Sequence, residues 1–392
     1  MRIAYVLLDP GIGVFGTKGA SVHVQEMIRA MRAAGQQVTV FCTRADDQVP
    51  ADLADLDVRR IRLPRTDAAG REAAIAEASA RIAALIDDEG FDGVYERYSL
   101  FSRTLALVAG GLPCVLEVNA PLISEQAAHR VLVNAADAED ATTAQFAAAT
   151  VIACVSPAVA DWVAGYGIPR ERVLVVPNGV NTDRFRVGPS LRSDQNEDAV
   201  EPGQAPAPAV GEQAGRVRAG FVGTLKPWHG TEVLVRALAH APQVELVICG
   251  TGPQEDALRA LAAERGVAER VRFLGAVAPE SVPSVLAGLD LAVAPYPPGD
   301  HYFSPLKVYE YLAAGLPVVA SAIGSLLGLL AECGVLVPPG DEDALGAALA
   351  ALAADPARRR ALGEAGRRIA VAEHDWRQRH AMIVTACEEL GR

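Results

Sequence analysis

The sequence predicts an α/β protein built from two Rossmann-like domains, each a doubly wound parallel sheet. Short apolar, β-branched segments alternate with Ala-, Arg- and Glu-rich helical segments along most of the chain. This pattern is typical of parallel sheets covered by helices on both faces. The alternation stops once, over residues 187–218, and then starts again. The 392 residues are enough for two α/β domains with complete cores.

The first half carries the pattern of one complete domain, residues 1–186. Its predicted strands are Ile3–Leu8, Gln37–Cys42, Gly93–Tyr95, Cys114–Val118, Val151–Val155 and Val173–Val176. Its predicted helices are His23–Ala34, Arg71–Asp87, Leu122–Ala149 and Pro157–Tyr166. Because strands and helices alternate, the strands are expected to pair in parallel.

The second half repeats this organisation over residues 219–375. Five strands are predicted in the segments that begin at Ala219, Val244, Val271, Leu289 and Pro317. The clearest helices between them are Thr231–Ala241 and Glu255–Arg265. Two tandem domains of this kind predict a ligand bound in a central cleft between them, beyond the carboxyl ends of the strands.

Two further segments complete the domain plan. Residues 187–218 are predicted to be a disordered insertion or linker, because Pro, Gly, Gln and acidic residues replace the apolar periodicity and leave too little apolar surface to offset the entropy of ordering. Residues 376–392 are predicted to be a last amphipathic helix, which Trp376 and Met382 could anchor on either domain.

Composition excludes several classes of protein. The net charge of −12 disfavours nucleic acid as a partner. The six cysteines are widely spaced and form no C-x-x-C pair, and no histidine pattern matches a metal site, so we expect no disulfide and no metal. No segment is predicted to be a signal peptide or a membrane span. A cytoplasmic protein is expected, and peripheral membrane contact stays open.

A glycine-rich loop, "LLDPGIGVFGTKGASVHVQEM" from Leu7, raises the question of a dinucleotide site. Gly11, Gly13 and Gly16 spell G-x-G-x-x-G, but the third glycine of that fingerprint should already lie in the helix. Here the helix is predicted to start only near Ala20, so the loop is too long. The alternatives are a flexible loop and a glycine-rich lip that lets a ligand phosphate approach backbone N–H groups.

The segment from Ala294 to Ser321 is the most informative in the chain. A strand is followed by a Pro/Gly-rich loop, and Ser304-Pro305 is predicted to open a helix, with Ser304 as its cap. A helix N-terminus favours a diphosphate, and Lys307 would add positive charge there. Glu310 could accept hydrogen bonds from the two hydroxyls of a ribose. An ordinary helix start with a solvated ion pair is the simpler alternative.

Four segments resemble the retaining glycosyltransferases of the GT-B fold, in the large family-four-like group. "FSPLKVYEYLAAGLPVVAS" resembles their donor-site motif and "VLVVPNGVNTDRF" their interdomain strand and turn. "FVGTLKPWHG" resembles the loop after the first strand of their C-terminal domain, and "GTKGASVHVQEMIRAMRAAGQQVTVF" their N-terminal glycine loop and first helix. The resemblance covers nearly the whole chain outside the insertion.

The resemblance implies a set of donor-binding residues. Glu310 takes the place of the second glutamate of an E-x7-E motif, which grips the nucleotide ribose. The segment before it would present backbone groups to the diphosphate, and either Gly16 or Gly19 would approach the donor phosphate. The donor-binding residues so implied are Gly16, Gly19, Gly223, Thr224, Lys226, His229, Tyr302, Ser304, Pro305, Leu306, Lys307 and Glu310.

Three departures from the family pattern stand out. Tyr302 occupies the place of the first glutamate of the motif, and Asp300 could take over its contact with the donor sugar. Thr224 and His229 replace the Arg and Lys that clamp the diphosphate, and Lys226 or Lys307 could restore a charge. Asn119 stands where many relatives have a histidine.

Polar residues also follow two strands of the first domain. The carboxyl ends of strands in an open α/β sheet face the ligand, so these residues are candidates to contact the acceptor or the donor sugar, although capping of helices is the alternative. Catalytic roles are assigned to His23, Glu117 and Asn119. Acceptor binding is assigned to Glu96, Arg97, Tyr98 and Glu125.

The predicted function is that of a glycosyltransferase that moves a sugar from a nucleotide-sugar to a hydroxyl acceptor on a glycan, glycolipid or natural-product precursor. Retention of configuration is what the resemblance implies. No cofactor or metal is expected, and the nucleotide-sugar is a co-substrate. The alternatives are a catalytically weak GT-B partner subunit, a nucleotide-sugar epimerase and, last, an NAD(P)-dependent dehydrogenase.

Overall fold

The computed structural model of the protein describes residues 1–108, 111–185, 215–299 and 302–390. Contacts divide the chain into two compact units. The N-terminal unit comprises Met1–Asn178, Tyr302–Ser304 and Trp376–Arg392, and the C-terminal unit comprises Gly179–His301 and Pro305–Asp375. Most of the predicted 187–218 insertion lies outside the described residues.

The N-terminal unit contains a seven-stranded parallel sheet within the described residues, in the order β3-β2-β1-β4-β5-β6-β7. The strands are β1 Arg2–Leu7, β2 Gln37–Cys42, β3 Asp57–Arg60, β4 Gly93–Arg97, β5 Cys114–Val118, β6 Val151–Cys154 and β7 Val173–Val175. The helices are α1 Gly19–Ala33, α2 Ala68–Glu89, α3 Thr104–Leu107, α4 Leu122–His129, α5 Ala135–Ala148 and α6 Pro157–Ala164.

The C-terminal unit contains a six-stranded parallel sheet within the described residues, in the order β10-β9-β8-β11-β12-β13. The strands are β8 Val217–Val222, β9 Val244–Cys249, β10 Val271–Gly275, β11 Leu291–Ala294, β12 Val318–Ser321 and β13 Gly334–Val337. The helices are α7 Thr231–Ala237, α8 Glu255–Glu264, α9 Val282–Ala287, α10 Leu306–Ala313, α11 Leu326–Leu329, α12 Glu342–Ala354 and α13 Pro356–Glu373. Two parallel-sheet, Rossmann-like domains are thereby confirmed.

The last helix, α14 Trp376–Leu390, belongs to the N-terminal unit. The Trp376 indole meets the edge of the His23 ring with centroids 4.6 Å apart, and α14 packs along α1. Met382 stays exposed. Trp376 is therefore the anchor of this helix, and the N-terminal unit is its docking surface.

Several predicted boundaries were wrong for local reasons. The edge strand β3 was missed because its sequence, DVRR, holds a single apolar residue, and β13 was missed although its sequence, GVLV, is apolar. The single helix expected over Leu122–Ala149 is two helices, since Asn134 accepts a hydrogen bond from the Asp137 N–H and starts α5 afresh. Strand β8 begins at Val217, inside the predicted insertion.

Five of the six cysteines are buried and all six are free, and Cys42, Cys114, Cys154 and Cys249 serve as small apolar residues of the core. Among the residues described, no helix combines the length and the apolar character needed to cross a membrane.

Candidate active-site residues

Strands β4 and β5 bring the central polar side chains of the N-terminal unit together. Arg97 pairs in register with Glu117, so their side chains lie side by side on one face of the sheet. Tyr95 is two residues before Arg97 and shares this face. Alternation along a strand thus places three polar groups at the carboxyl ends of two neighbouring strands.

Glu117 is the centre of this group, which we call the Glu117 cluster: His23, Tyr95, Arg97, Glu117 and Asn119. The Glu117 carboxylate accepts hydrogen bonds from Arg97 Nη1 at 2.5 Å, Asn119 Nδ2 at 2.5 Å, Tyr95 Oη at 2.6 Å and His23 Nε2 at 2.8 Å. Glu117 is 4% exposed and His23 5%, whereas Asn119 is half-buried. The structure therefore brings the three predicted catalytic residues together.

His23 connects the cluster to the turn after β7. Its Nδ1 lies 2.8 Å from Asn178 Oδ1, and the Asn178 amide Nδ2 donates to the Ser304 carbonyl at 2.5 Å. With the amide oriented in this way, both ring nitrogens of His23 lie within hydrogen-bond distance of an oxygen atom. The His23 ring is therefore held at both of its nitrogens.

The charges of this cluster favour the ionised form of Glu117. Burial by itself raises the pKa of the Glu117 carboxyl, but the positive charges of His23 and Arg97 and the hydrogen bonds from His23 and Tyr95 outweigh it. The pKa is therefore held well below its usual range. Glu117 is a carboxylate whose charge is fully matched inside the protein, which suits a positioning role.

Two predicted acceptor-binding residues lie away from this cluster. Glu96 points to the opposite face of the sheet, where it is fully buried and accepts a hydrogen bond from Ser102; burial raises its pKa to about 7. The Tyr98 hydroxyl is bonded to Thr142 at 2.7 Å beside the rings of Phe146 and Trp162. In this structure both residues organise the core and neither is open to a substrate.

Glu125 lies on α4 and lines a cavity of about 380 Å³ in the N-terminal unit, together with Asp9, Arg71 and Arg130. Its Oε2 accepts a hydrogen bond from the Tyr302 hydroxyl at 3.0 Å. Tyr302 is therefore tied to a predicted acceptor-binding residue. Asp300, the proposed replacement for the missing glutamate, lies outside the described residues.

The glycine loop lies between β1 and α1. Helix α1 begins at Gly19, so Gly11, Gly13 and Gly16 all precede it, contrary to the dinucleotide fingerprint. The loop is held by Gln25, whose Nε2 donates to the carbonyls of Val14 and Gly16 at 3.0 Å. Gly16 lines a cavity of about 360 Å³.

In the C-terminal unit, Lys307 on α10 has an unusual environment. Its Nζ is shielded from solvent and has no hydrogen-bond partner among the described residues. It lies 4.1 Å from the centre of the Phe221 ring and 5.7 Å from that of Tyr296. Burial lowers the pKa of Lys307 to about 7, and the nearby Glu310 opposes this shift only in part. Glu310 stands one turn further along the same helix.

The loop after β8 closes over this lysine. Gly223 has φ +148°, and a Cβ there would come within 2.8 Å of Lys307 Nζ, so glycine leaves the space beside the ammonium open. His229 Nδ1 lies 2.5 Å from the exposed Thr224 carbonyl. Burial and then the charge of Lys307 lower the pKa of His229 to about 4, so this ring is neutral at pH 7.

Lys226 Nζ lies 5.5 Å from the centre of the exposed Trp228 ring, and its role toward the diphosphate stays a prediction. The predicted cap of α10 was wrong. The helix begins at Leu306 with Pro305 as its N-cap and without a side-chain cap. Ser304 Oγ instead accepts a hydrogen bond from the Asn178 N–H at 3.1 Å, which draws the serine away from the helix.

Sequence reasoning missed Tyr95, Asn178, Phe221 and Tyr296. Tyr95 could have been found, since strand alternation places it beside Arg97 and excludes Glu96. Asn178 belongs to the quoted "PNG" turn, which marks the residue in the sequence but does not indicate that it contacts His23 and Ser304. No pattern in the sequence indicates that two aromatic rings hold Lys307.

Both halves of the chain match known glycosyltransferase families, and the whole chain resembles known glycosyltransferases. The family Glycosyltransferase Family 4 matches residues 17–184, and the family Glycosyl transferases group 1 matches residues 216–355. D-inositol 3-phosphate glycosyltransferase of Xylanimonas cellulosilytica is 29% identical over 416 residues, covering 96% of this chain and 92% of that protein.

A second relative is the GDP-mannose-dependent alpha-(1-6)-phosphatidylinositol monomannoside mannosyltransferase of Mycolicibacterium smegmatis. It is 32% identical over 225 residues, and the match spans 55% of this chain and 56% of that protein, little more than half of its length. Among solved structures, Anabaena HepE in complex with UDP superposes with a TM-score of 0.72 at 19% identity, covering 99% of this chain and all of the other. At that identity the likeness shows the fold.

Proposed function

Because the chain belongs to the family-four-like glycosyltransferases with the GT-B fold, we propose that it transfers a sugar from a nucleoside diphosphate sugar to a hydroxyl acceptor with retention of configuration and without a metal ion. The acceptor is proposed to be a glycan, a glycolipid or a natural-product precursor. A cytoplasmic location and contact with a membrane surface remain predictions. That the protein binds no nucleic acid and needs no cofactor also remains a prediction.

The observation that carries the proposal is the buried Lys307 ammonium without a hydrogen-bond partner among the described residues. Burying an unpaired charge is costly, and a diphosphate supplies the missing partner. The N–H groups at the start of α10, Leu306 first, favour the same anion. Gly223 leaves room beside the Lys307 ammonium. Glu310 is proposed to accept hydrogen bonds from the hydroxyls of the ribose.

The leaving diphosphate gains negative charge as the bond to the sugar breaks. A preorganised cation and helix N–H groups stabilise that charge more in the transition state than in the ground state. Since His229 is neutral at pH 7 and Lys226 lies against Trp228, Lys307 is proposed as the main cation of this chain toward the diphosphate.

His23, Glu117 and Asn119 remain the proposed catalytic group, with roles divided by their exposure. His23 and Glu117 are almost fully buried and are proposed to position their neighbours. Asn119 is half-buried and is proposed to contact the sugar through its amide. Gly16 and Gly19 are proposed to approach the donor phosphate, and Glu125 to meet the acceptor.

The test is thermal unfolding of the purified protein with a panel of nucleotides, UDP- and GDP-sugars, NAD and NADP. A ligand at 100 times its Kd adds about 2.7 kcal/mol to the free energy of unfolding. We expect one nucleotide-sugar to stabilise the protein and Glu310→Ala to weaken its binding about tenfold or more. Glu264→Ala, an exposed carboxylate at the end of α8, is the matched control.

The other outcomes separate the alternatives. Stabilisation by NAD or NADP alone contradicts the proposal and restores the dehydrogenase. A nucleotide-sugar that binds but is never turned over without a second chain favours the partner subunit. Conversion of the nucleotide-sugar to its isomer without an acceptor favours the epimerase.

A further inference from the structure

A cavity in the N-terminal unit is lined by four arginines. It has a volume of about 500 Å³ and no acidic residue among its lining residues, which are Pro10, Thr43, Arg44, Arg60, Arg62, Leu63 and Arg65. The protein as a whole carries a net charge of −12. The lining of this cavity is therefore positively charged, although the net charge of the protein is negative. We call it the arginine cavity.

The local backbone explains why two of the arginines, Arg60 and Arg62, face the same way. The Ile61 N–H donates to the Cys42 carbonyl at 2.8 Å, which continues the pairing of β3 with β2. Ile61 and Leu63 pack against the core of the unit. Since side chains alternate along an extended chain, Arg60 and Arg62 are directed away from that core. The apolar residues fix the position of the segment and thereby aim the two arginines.

The four guanidinium groups differ in what they contact. Arg44 Nε is 2.6 Å from Asp46 Oδ1, and Arg60 Nε donates to the Thr43 carbonyl at 3.3 Å. Within the described part of the chain, neither a hydrogen bond nor an ion pair is found for the side chains of Arg62 and Arg65. Both are exposed. The cavity thus holds excess positive charge that the protein itself does not neutralise.

The arginine cavity adjoins the loop that follows β1. Arg44 also lines the glycine-loop cavity, and Pro10 also lines the cavity that contains Glu125. A ligand bound between the arginines would therefore be a neighbour of the residues proposed to meet donor phosphate and acceptor.

We propose that the arginine cavity binds a phosphate group carried by the acceptor substrate. This inference rests on the proposed function, whose acceptor it narrows to phosphorylated compounds. The planar guanidinium fork matches phosphate oxygens with two parallel hydrogen bonds, and exposed Arg62 and Arg65 are free to provide them. The phosphate belongs either to a water-soluble ester or to a lipid headgroup, which have the same recognition chemistry.

The experiment measures binding to the full-length protein at low ionic strength, with UDP or GDP present to occupy the donor residues. Inorganic phosphate is compared with chloride of equal ionic strength, and glycerol 3-phosphate with glycerol. Vesicles of phosphatidylcholine with and without phosphatidylinositol supply the lipid arm. The test variant is Arg62→Gln/Arg65→Gln. The control, Arg81→Gln/Arg358→Gln, removes the same charge at two exposed arginines elsewhere.

We expect the phosphate compounds to bind wild type and the control alike, and Arg62→Gln/Arg65→Gln to weaken that binding about tenfold or more. Preference for glycerol 3-phosphate assigns the phosphate to a soluble ester, and preference for phosphatidylinositol vesicles assigns it to a lipid. Equal losses in both double variants, or no preference for phosphate over chloride, overturn the inference. Because donor binding is measured separately through Glu310, such a failure leaves the glycosyltransferase proposal standing.

Discussion

Glu117 and Lys307 are both charged side chains in buried surroundings, one in each unit, and their surroundings are opposite. Glu117 accepts four hydrogen bonds, from His23, Tyr95, Arg97 and Asn119. Lys307 Nζ has aromatic rings for neighbours and no hydrogen-bond partner within the described residues. The pKa of each records the difference: that of Glu117 is lowered by its partners, so its charge is kept, whereas that of Lys307 is lowered by burial, so its charge is disfavoured.

The comparison separates two uses of charge. A carboxylate that the protein has already satisfied can fix its neighbours but gains little from a ligand. An ammonium that the protein leaves unsatisfied costs stability in the free protein and gains a partner when an anion binds. On this basis Glu117 is expected to control folding and geometry, and Lys307 is expected to control ligand binding.

The largest expected effect is on stability. Glu117→Ala leaves Arg97 and His23 buried without their carboxylate, so we expect the free energy of unfolding to fall by about 3–5 kcal/mol. Urea denaturation followed by circular dichroism measures it. Glu139→Ala removes an exposed carboxylate that accepts a hydrogen bond from the Tyr166 hydroxyl and should cost less than about 1 kcal/mol. Equal costs for the two variants would show that the Glu117 cluster is not a coupled unit.

The next effect is on activity. Lys307→Met removes the proposed main cation toward the diphosphate, and we expect kcat/KM to fall about 10²–10³-fold. The free protein should be as stable as wild type or more so, because an unpaired buried ammonium is replaced by an apolar side chain of similar length. Lys226→Met should cause a smaller loss of activity. A destabilised Lys307→Met with normal activity would reverse the roles assigned in the comparison.

A smaller effect is expected at the glycine that borders Lys307. Gly223→Ala forces a side chain into φ +148° and against the ammonium, so we expect a loss of about 1–3 kcal/mol in stability together with weaker nucleotide binding. Gly328→Ala, where the added methyl group meets open space, is the control and should be neutral or slightly stabilising. Unchanged nucleotide affinity in Gly223→Ala would move the diphosphate away from this loop.

The smallest expected effect is the uptake of protons when a nucleotide binds. The pKa of Lys307 is about 7 in the free protein, so at pH 8 the side chain is mostly deprotonated. A diphosphate beside it raises the pKa, and binding should therefore take up a fraction of one proton from solution. Calorimetry of nucleotide binding in buffers of different ionisation enthalpy measures this uptake. Lys307→Met should abolish it, and proton release in wild type would contradict the assignment.

The sequence predicted the sheets well where strands are buried on both faces. Gln37–Cys42 and Cys114–Val118 were placed at their observed bounds because β-branched and apolar residues dominate both segments. Asp57–Arg60 was missed because it holds a single apolar residue among charged ones. Among the predicted site residues, His23, Glu117 and Asn119 lie together, and their catalytic roles stay predictions. Glu96 lies apart from them, because consecutive residues of a strand face opposite ways.

The Lys307 environment could be predicted only in part. The lysine and its helix were identified in the sequence. Its burial depends on Phe221, which is distant in the chain, and on Tyr296, and the two aromatic residues follow no shared pattern. The cap of α10 was assigned to Ser304 from local preference, and a tertiary contact with Asn178 overrides that preference. Residue types therefore indicated the chemistry, and packing decided which groups are satisfied.

The packing of α14 on α1 has a consequence for how the protein is made. The His23 ring, near the start of the chain, is covered by Trp376, near its end, and α14 belongs to the N-terminal unit. On the ribosome, domains generally fold as their residues emerge, the N-terminal one first. Here α1 cannot be covered by α14 until the whole C-terminal unit has been synthesised, so of the two units the N-terminal one is completed second.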